Sequence, residues 1–154
     1  MKTQQPIKRT GFSLVELLIT VSIIAILIAI GVASYATINR QSRDTKRKSD
    51  LEQIRSALEM YRADIGSYPS AGGGSFVAAS SATDVLVGLT PSLVSTYLPV
   101  IPTDPKSTQS YMYKATNLSG GDYYGYCLSA LLESEDPLDT CTPSVGQTYG
   151  VKNP

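Results

Sequence analysis

The strongest constraint on this chain is an apolar run from Leu14 to Ala33, interrupted only by Glu16, Thr20, Ser22 and Gly31. Twenty such residues, wound as a helix at about 1.5 Å each, cover the roughly 30 Å hydrocarbon core of a bilayer. The run reads as a membrane segment. Glu16 is its odd member, because a carboxylate deep in a membrane helix costs about 3 kcal/mol, less towards an interface, and usually marks function. Two ordinary readings compete. A cleaved secretory signal also has a basic start and an apolar stretch, and Gly31-Val32-Ala33 loosely passes as its cleavage site. This run exceeds the usual ~7–15 residues of such a signal, however, and helical patterning continues after it. The other is a plain signal anchor.

The residues that open the run carry a resemblance. Lys8-Arg9-Thr10-Gly11-Phe12-Ser13-Leu14-Val15-Glu16 joins a charge step, a Gly-Phe junction and a glutamate four residues later to an otherwise uncharged span. This resembles the cleavage and methylation segment of type IV prepilins and type II secretion pseudopilins. The resemblance implies that a prepilin peptidase in the membrane cuts between Gly11 and Phe12 and methylates the new Phe12 amine. It is closest from Lys8 to about Pro69. Thr10 separates the basic pair from Gly11, and Ala33 stands where many family members carry a proline.

After Ala33 the pattern turns amphipathic with no turn signal. Leu51, Ile54, Leu58, Tyr61 and Ile65 recur at spacings of three and four, with Asp50, Glu52, Arg55, Glu59 and Arg62 mostly off that stripe. One helix therefore continues to Gly66-Ser67-Tyr68-Pro69, where glycine suits a left-handed terminus and proline cannot extend the helix. The expected organisation is a leader over 1–11, a transmembrane and filament-core helix over 12–33, an amphipathic continuation over 34–66 and a globular head over 67–154. The basic cluster Arg40, Arg43, Lys46, Arg47 and Lys48 reads as a solvated helix face, or as a contact for lipid headgroups or acidic neighbours. By the positive-inside bias this cluster would place the head in the cytoplasm; prepilin-like processing outweighs that bias and places it outside.

Composition argues against turnover chemistry. There is no histidine, which removes the usual general base and the commonest metal ligand at neutral pH. Residues 67–154 hold Lys106, Lys114 and Lys152 against seven acids, so the head is acidic where the stem is basic. No cofactor, catalytic residue or metal site is expected. Glu133, Glu135, Asp136 and Asp139, with Asp104 and Asp122, read as a solvated acidic loop; calcium ligation by them is implied only by the likeness to secretion pseudopilins. Asn117-Leu118-Ser119 matches a glycosylation acceptor, a three-residue pattern common by chance.

In the head, Ser67 to Ser81 reads as a loop and Thr83 to Tyr97 as a short helix broken near Pro91. Ser110 to Ala115 and Tyr124 to Ala130 alternate as strands around a turn at Asn117–Asp122, with a third strand at Gln147–Lys152. The fold class is α+β: a long N-terminal helix packed on a small C-terminal antiparallel sheet, which resembles the pilin head. Leu-Pro-Val-Ile-Pro-Thr-Asp-Pro at 98–105 resembles the major pseudopilins. Cys127 and Cys141 fit neither a redox nor a zinc spacing. With the export that the resemblance implies they close a disulfide; in a cytoplasmic domain they are two reduced thiols.

The reading is a structural subunit, stored in the inner membrane with its head outside, then processed and packed into a type IV pilus-like filament, extracellular or periplasmic. Its expected partners are identical and related pilin subunits, the prepilin peptidase and methyltransferase, a membrane assembly platform and, before assembly, the lipid bilayer. Glu16 is the expected assembly residue, through the Phe12 amine of a neighbouring subunit. A major pseudopilin of type II secretion is the alternative within the class, and a signal-anchored binding module the alternative outside it. Nucleic acid is not supported as a partner, since Tyr35 is the one aromatic close to the basic cluster.

Overall fold

The computed structural model describes residues 11–79, 93–134, 141 and 146–153. Helix α1 runs from Leu14 to Ile65. Ser13 caps it: its hydroxyl accepts from the Val15 amide at 3.3 Å and its carbonyl from the Leu17 amide at 3.2 Å. With Glu16 at the third helical position, Ser13-Leu-Val-Glu16 also has the sequence of a capping box. At the other end Gly66 takes φ 92° and donates to the Arg62 carbonyl at 2.8 Å, a left-handed terminus that a side chain would strain.

The chain divides at Asn39 and Arg40 into two compact units. In the first, the described residues are almost entirely helix. Its hydroxyls fold back on their own helix, Thr20 onto the Leu17 carbonyl, Ser22 onto Leu18 and Ser34 onto Ile30. None of these three hydroxyls therefore offers an unmet polar group to an apolar environment.

The second unit packs residues 40–65 of α1 with a four-stranded antiparallel sheet in the order β1-β2-β3-β4. The strands are β1 (Val77–Ala78), β2 (Met112–Ser119), β3 (Asp122–Ala130) and β4 (Tyr149–Lys152). β2 and β3 pair from Met112↔Ser129 to Ser119↔Asp122, so the hairpin is tighter than the expected Asn117–Asp122 turn. Gly120 (φ 63°) and Gly121 (φ 100°) supply the two positive dihedrals of a two-residue turn of type I′. Asn117 also lies at φ 57° within β2, whose pairing keeps its register past it to Ser119. β4 falls within the expected third strand, whereas β1 arises inside the segment expected as a loop.

The core joins Leu51, Ile54, Ala57, Leu58 and Tyr61 of the helix to Tyr113, Ala115, Tyr126, Leu128, Ala130 and Val151 of the sheet. Ile65, the last member of the expected stripe, is exposed where the helix ends. Of the short helix expected over Thr83–Tyr97, residues 83–92 lie outside the described residues. The remainder is a turn rather than a helix: Val94 (φ −74°, ψ 142°) and Ser95 (φ 73°, ψ −27°) within Leu93–Thr96 have type II turn dihedrals.

Cys127 of β3 is bonded to Cys141, with Cα atoms 5.9 Å apart. The bridge closes a loop of about 15 residues, for which chain entropy gives roughly 3 kcal/mol. Replacing both cysteines by alanine should lower the unfolding free energy measured by urea titration by that order, and thiol labelling of the unreduced native chain should fail at both positions.

Candidate functional site

Two places carry chemistry. At the first, Gly11 and Phe12 precede the helix, fully accessible, with Phe12 78% exposed. Glu16 lies in the first turn of α1, where a negative charge suits the positive end of the helix dipole. Among the described residues it has no hydrogen-bond or ion-pair partner. From Phe12 to Ile38 sixteen large apolar side chains are exposed. That is far more than an isolated water-soluble surface carries, so this helix is built to be covered by lipid or by other chains. It is the one helix among the described residues long and apolar enough to cross a membrane.

The second place is a charge network on the inner face of α1. Arg47 is wholly buried and every N–H of its guanidinium has an acceptor. Nε and Nη2 grip Asp104 at 2.8 and 2.9 Å, Nη1 reaches Asp44 at 2.8 Å and Glu133 at 3.0 Å, and Nη2 also donates to Gln109 at 3.0 Å. Glu133 is held again by Arg43, through two bonds of 2.6 Å, and by Lys106 at 2.8 Å. Asp44 accepts the Glu133 and Ser134 amides and the Ser134 hydroxyl, which ties the segment after β3 to the helix. The solvated-face reading of the basic cluster is thus corrected: Arg43 and Arg47 turn inward, Lys48 lies over the Tyr149 ring at 5.3 Å, and Arg40 and Lys46 are exposed.

The signal for this network is in the spacing. Carrying the stripe of Leu51, Ile54 and Leu58 backwards by helical steps lands on Arg47 and Asp44, whereas residue type alone assigns both to the outside. Asp50 and Glu59 also engage the head, although they lie mostly off that stripe. Asp50 is buried and accepts the Tyr111 hydroxyl at 2.7 Å, while Glu59 accepts the hydroxyls of Tyr68 and Tyr126.

Environment sets the charges. Arg43 first, then Lys106, holds the Glu133 carboxyl well below the usual carboxylate range. Burial alone would raise Asp44, yet the Ser134 hydroxyl and the two backbone amides bring it below its ordinary value. Burial, with the acceptor Asp50, pushes the Tyr111 hydroxyl up.

Three of the six acids read as an acidic loop, Asp104, Asp122 and Glu133, lie among the described residues. Glu133 and Asp104 already neutralise arginine and lysine, Asp122 is exposed at the hairpin, and no ligand cluster forms among the described residues. Glu135, Asp136 and Asp139 lie outside the described residues.

Comparison with known proteins gives the class first. Residues 7–32 match the prokaryotic N-terminal methylation motif, the segment that carries Gly11, Phe12 and Glu16. Residues 35–126 match the type II secretion system protein G model, which spans more than half of the chain. The chain belongs to that family. It is 36% identical over 63 residues to the type II secretion system core protein G of Pseudomonas aeruginosa, an alignment that covers 41% of this chain and 44% of that relative. No solved structure matches the chain.

The lowered carboxyls give a pH dependence with a definite sign. Both stabilise the fold fully above the unfolded carboxylate range, about pH 4, and that contribution is lost as pH falls through their lower folded values. The melting temperature should therefore drop on acidification below about pH 5. Glu133→Gln should melt lower at neutral pH and show a shallower acid slope by circular dichroism; parallel wild-type and variant profiles would remove Glu133 from this linkage.

Proposed function

We propose that this chain is a structural subunit of a secretion-type pseudopilus or closely related type IV pilus-like filament, and that it works by assembly rather than turnover. The observation that carries the reading is the accessible apolar helix directly behind Gly11-Phe12, with Glu16 alone in its first turns. The protein G family favours the pseudopilus over the surface pilus.

In this reading residues 1–11 are a leader, 12–33 first span the inner membrane and then form the filament core, 34–66 continue the helix into the head, and 67–154 are the head. The head faces the periplasm. A prepilin peptidase cuts after Gly11 and Phe12 is methylated, and an assembly platform draws the subunit out of the bilayer. Each step keeps the apolar helix covered, first by lipid and then by the helices of identical or related subunits. That cover is what sixteen exposed large apolar side chains require.

Processing creates a cationic amine on Phe12, and both that charge and Glu16 are costly in a low-dielectric bundle unless paired. Subunits offset along a filament let Glu16 meet the Phe12 amine of a neighbour, which sets axial register. Mass spectrometry of the exported chain should give a start at Phe12 with a methylated amine; an intact Met1 or cleavage after Ala33 would overturn the processing step. Glu16→Ala should be inserted and cleaved normally but incorporate poorly when it is the sole subunit supplied. Normal filament yield from that variant would leave Glu16 only its favourable place at the helix dipole.

A further inference from the structure

Arg47 uses all five of its N–H bonds, and its acceptors come from three separate stretches of chain. Asp44 lies on α1 itself, Asp104 and Gln109 on the segment leading into β2, and Glu133 on the segment leaving β3. Neither of the last two stretches belongs to the sheet. Asp104 also accepts the Lys106 amide at 2.8 Å, which curls its own segment round the guanidinium. Lys106 reaches across to Glu133, and Asp44 holds the Glu133 and Ser134 amides.

Among the described residues the formal charges balance: Arg43, Arg47 and Lys106 stand against Asp44, Asp104 and Glu133. Asp50, the next buried acid on the helix, is engaged by Tyr111. Oxygen ligands converging from separate segments are what a bound divalent cation commonly joins. Here a side chain stands at that junction, and a further dication would leave the balanced cluster in excess by two charges.

We propose that Arg47 takes the place of a bound cation at this junction, fastening the 104–109 and 132–134 segments to α1 as one cooperative joint that closes without a free divalent ion between them. Because both segments share a single guanidinium, they open together, as a local event below the stability of the β2–β3 ladder. Lysine cannot replace it, having three donors on a point charge where five in a planar fork are used.

The test is amide hydrogen exchange on the full chain in detergent micelles. The reporters are Lys106 for one segment, Glu133 and Ser134 for the other, and the β2–β3 ladder as reference. In the wild type, EDTA or added calcium should leave all of them unchanged. Arg47→Met should cut protection at Lys106, Glu133 and Ser134 together by about a hundredfold, with the ladder largely retained. Arg47→Lys should fall in the same direction.

Asp44→Asn is the sharper variant, and it carries the test if Arg47→Met does not fold. Asp44 makes no bond to Lys106, so loosening of Lys106 in this variant reports coupling through the shared network, by way of Arg47 and of the Glu133–Lys106 pair. Loss confined to Glu133 and Ser134 would mean two independent fastenings and overturn the joint. Loss spread evenly over the ladder would place Arg47 in the global core instead, and a wild type loosened by EDTA would show that a free cation is needed.

Discussion

A guanidinium without exposed surface has to be neutralised where it stands, and around Arg47 that requirement organises the segments that enter β2 and leave β3. Two segments outside the sheet, one entering β2 and one leaving β3 at the open end of the hairpin, converge on one side chain of the helix. The bidentate grip of Asp104 fixes the guanidinium plane, and the plane fixes where Asp44, Gln109 and Glu133 can sit. A buried pair of this kind adds little net stability over a well-packed apolar substitute. Removing one partner alone is what costs heavily. Its contribution is one of arrangement, since apolar packing would hold these loops without specifying their path.

Further along the same helix the principle changes from charge to hydroxyl. Glu59 gathers Tyr68 and Tyr126, whose rings meet edge to face at 4.8 Å, and the Tyr113 hydroxyl donates to the Pro69 carbonyl. Tyr68 also joins the hairpin directly, its amide donating to the Tyr123 carbonyl at 2.8 Å. Tyrosine serves here because it offers a large apolar ring and a polar tip on one side chain. The rings fill the space between helix and sheet, and their hydroxyls meet the few polar groups left there.

Much of this architecture is legible in the sequence because it rests on periodicity and on strong punctuation. The apolar run, the Gly66 stop, the glycine pair of the hairpin and the alternating tyrosines each have one natural local solution. The features that escape a reading of the sequence depend on tertiary contact. Arg47 and Asp44 lie on the buried stripe by position, while their residue type argues for the outside. β1 is two residues of a Ser- and Gly-rich stretch that become a strand only because Val77 and Ala78 find Tyr113 and Met112. At the start of α1, Ser13 belongs to a processing pattern, and that more conspicuous role hides the hydroxyl that caps the helix.

The sheet ends in very short strands, two residues in β1 and four in β4. An exposed strand edge is a template for another chain, and its hazard grows with length. For a subunit proposed to associate through its helix at high local concentration, a long open edge would offer a rival mode of polymerisation, strand to strand. Brief edges shorten that template. The sheet can then be crowded against copies of itself while the route to ordered assembly stays with the helix.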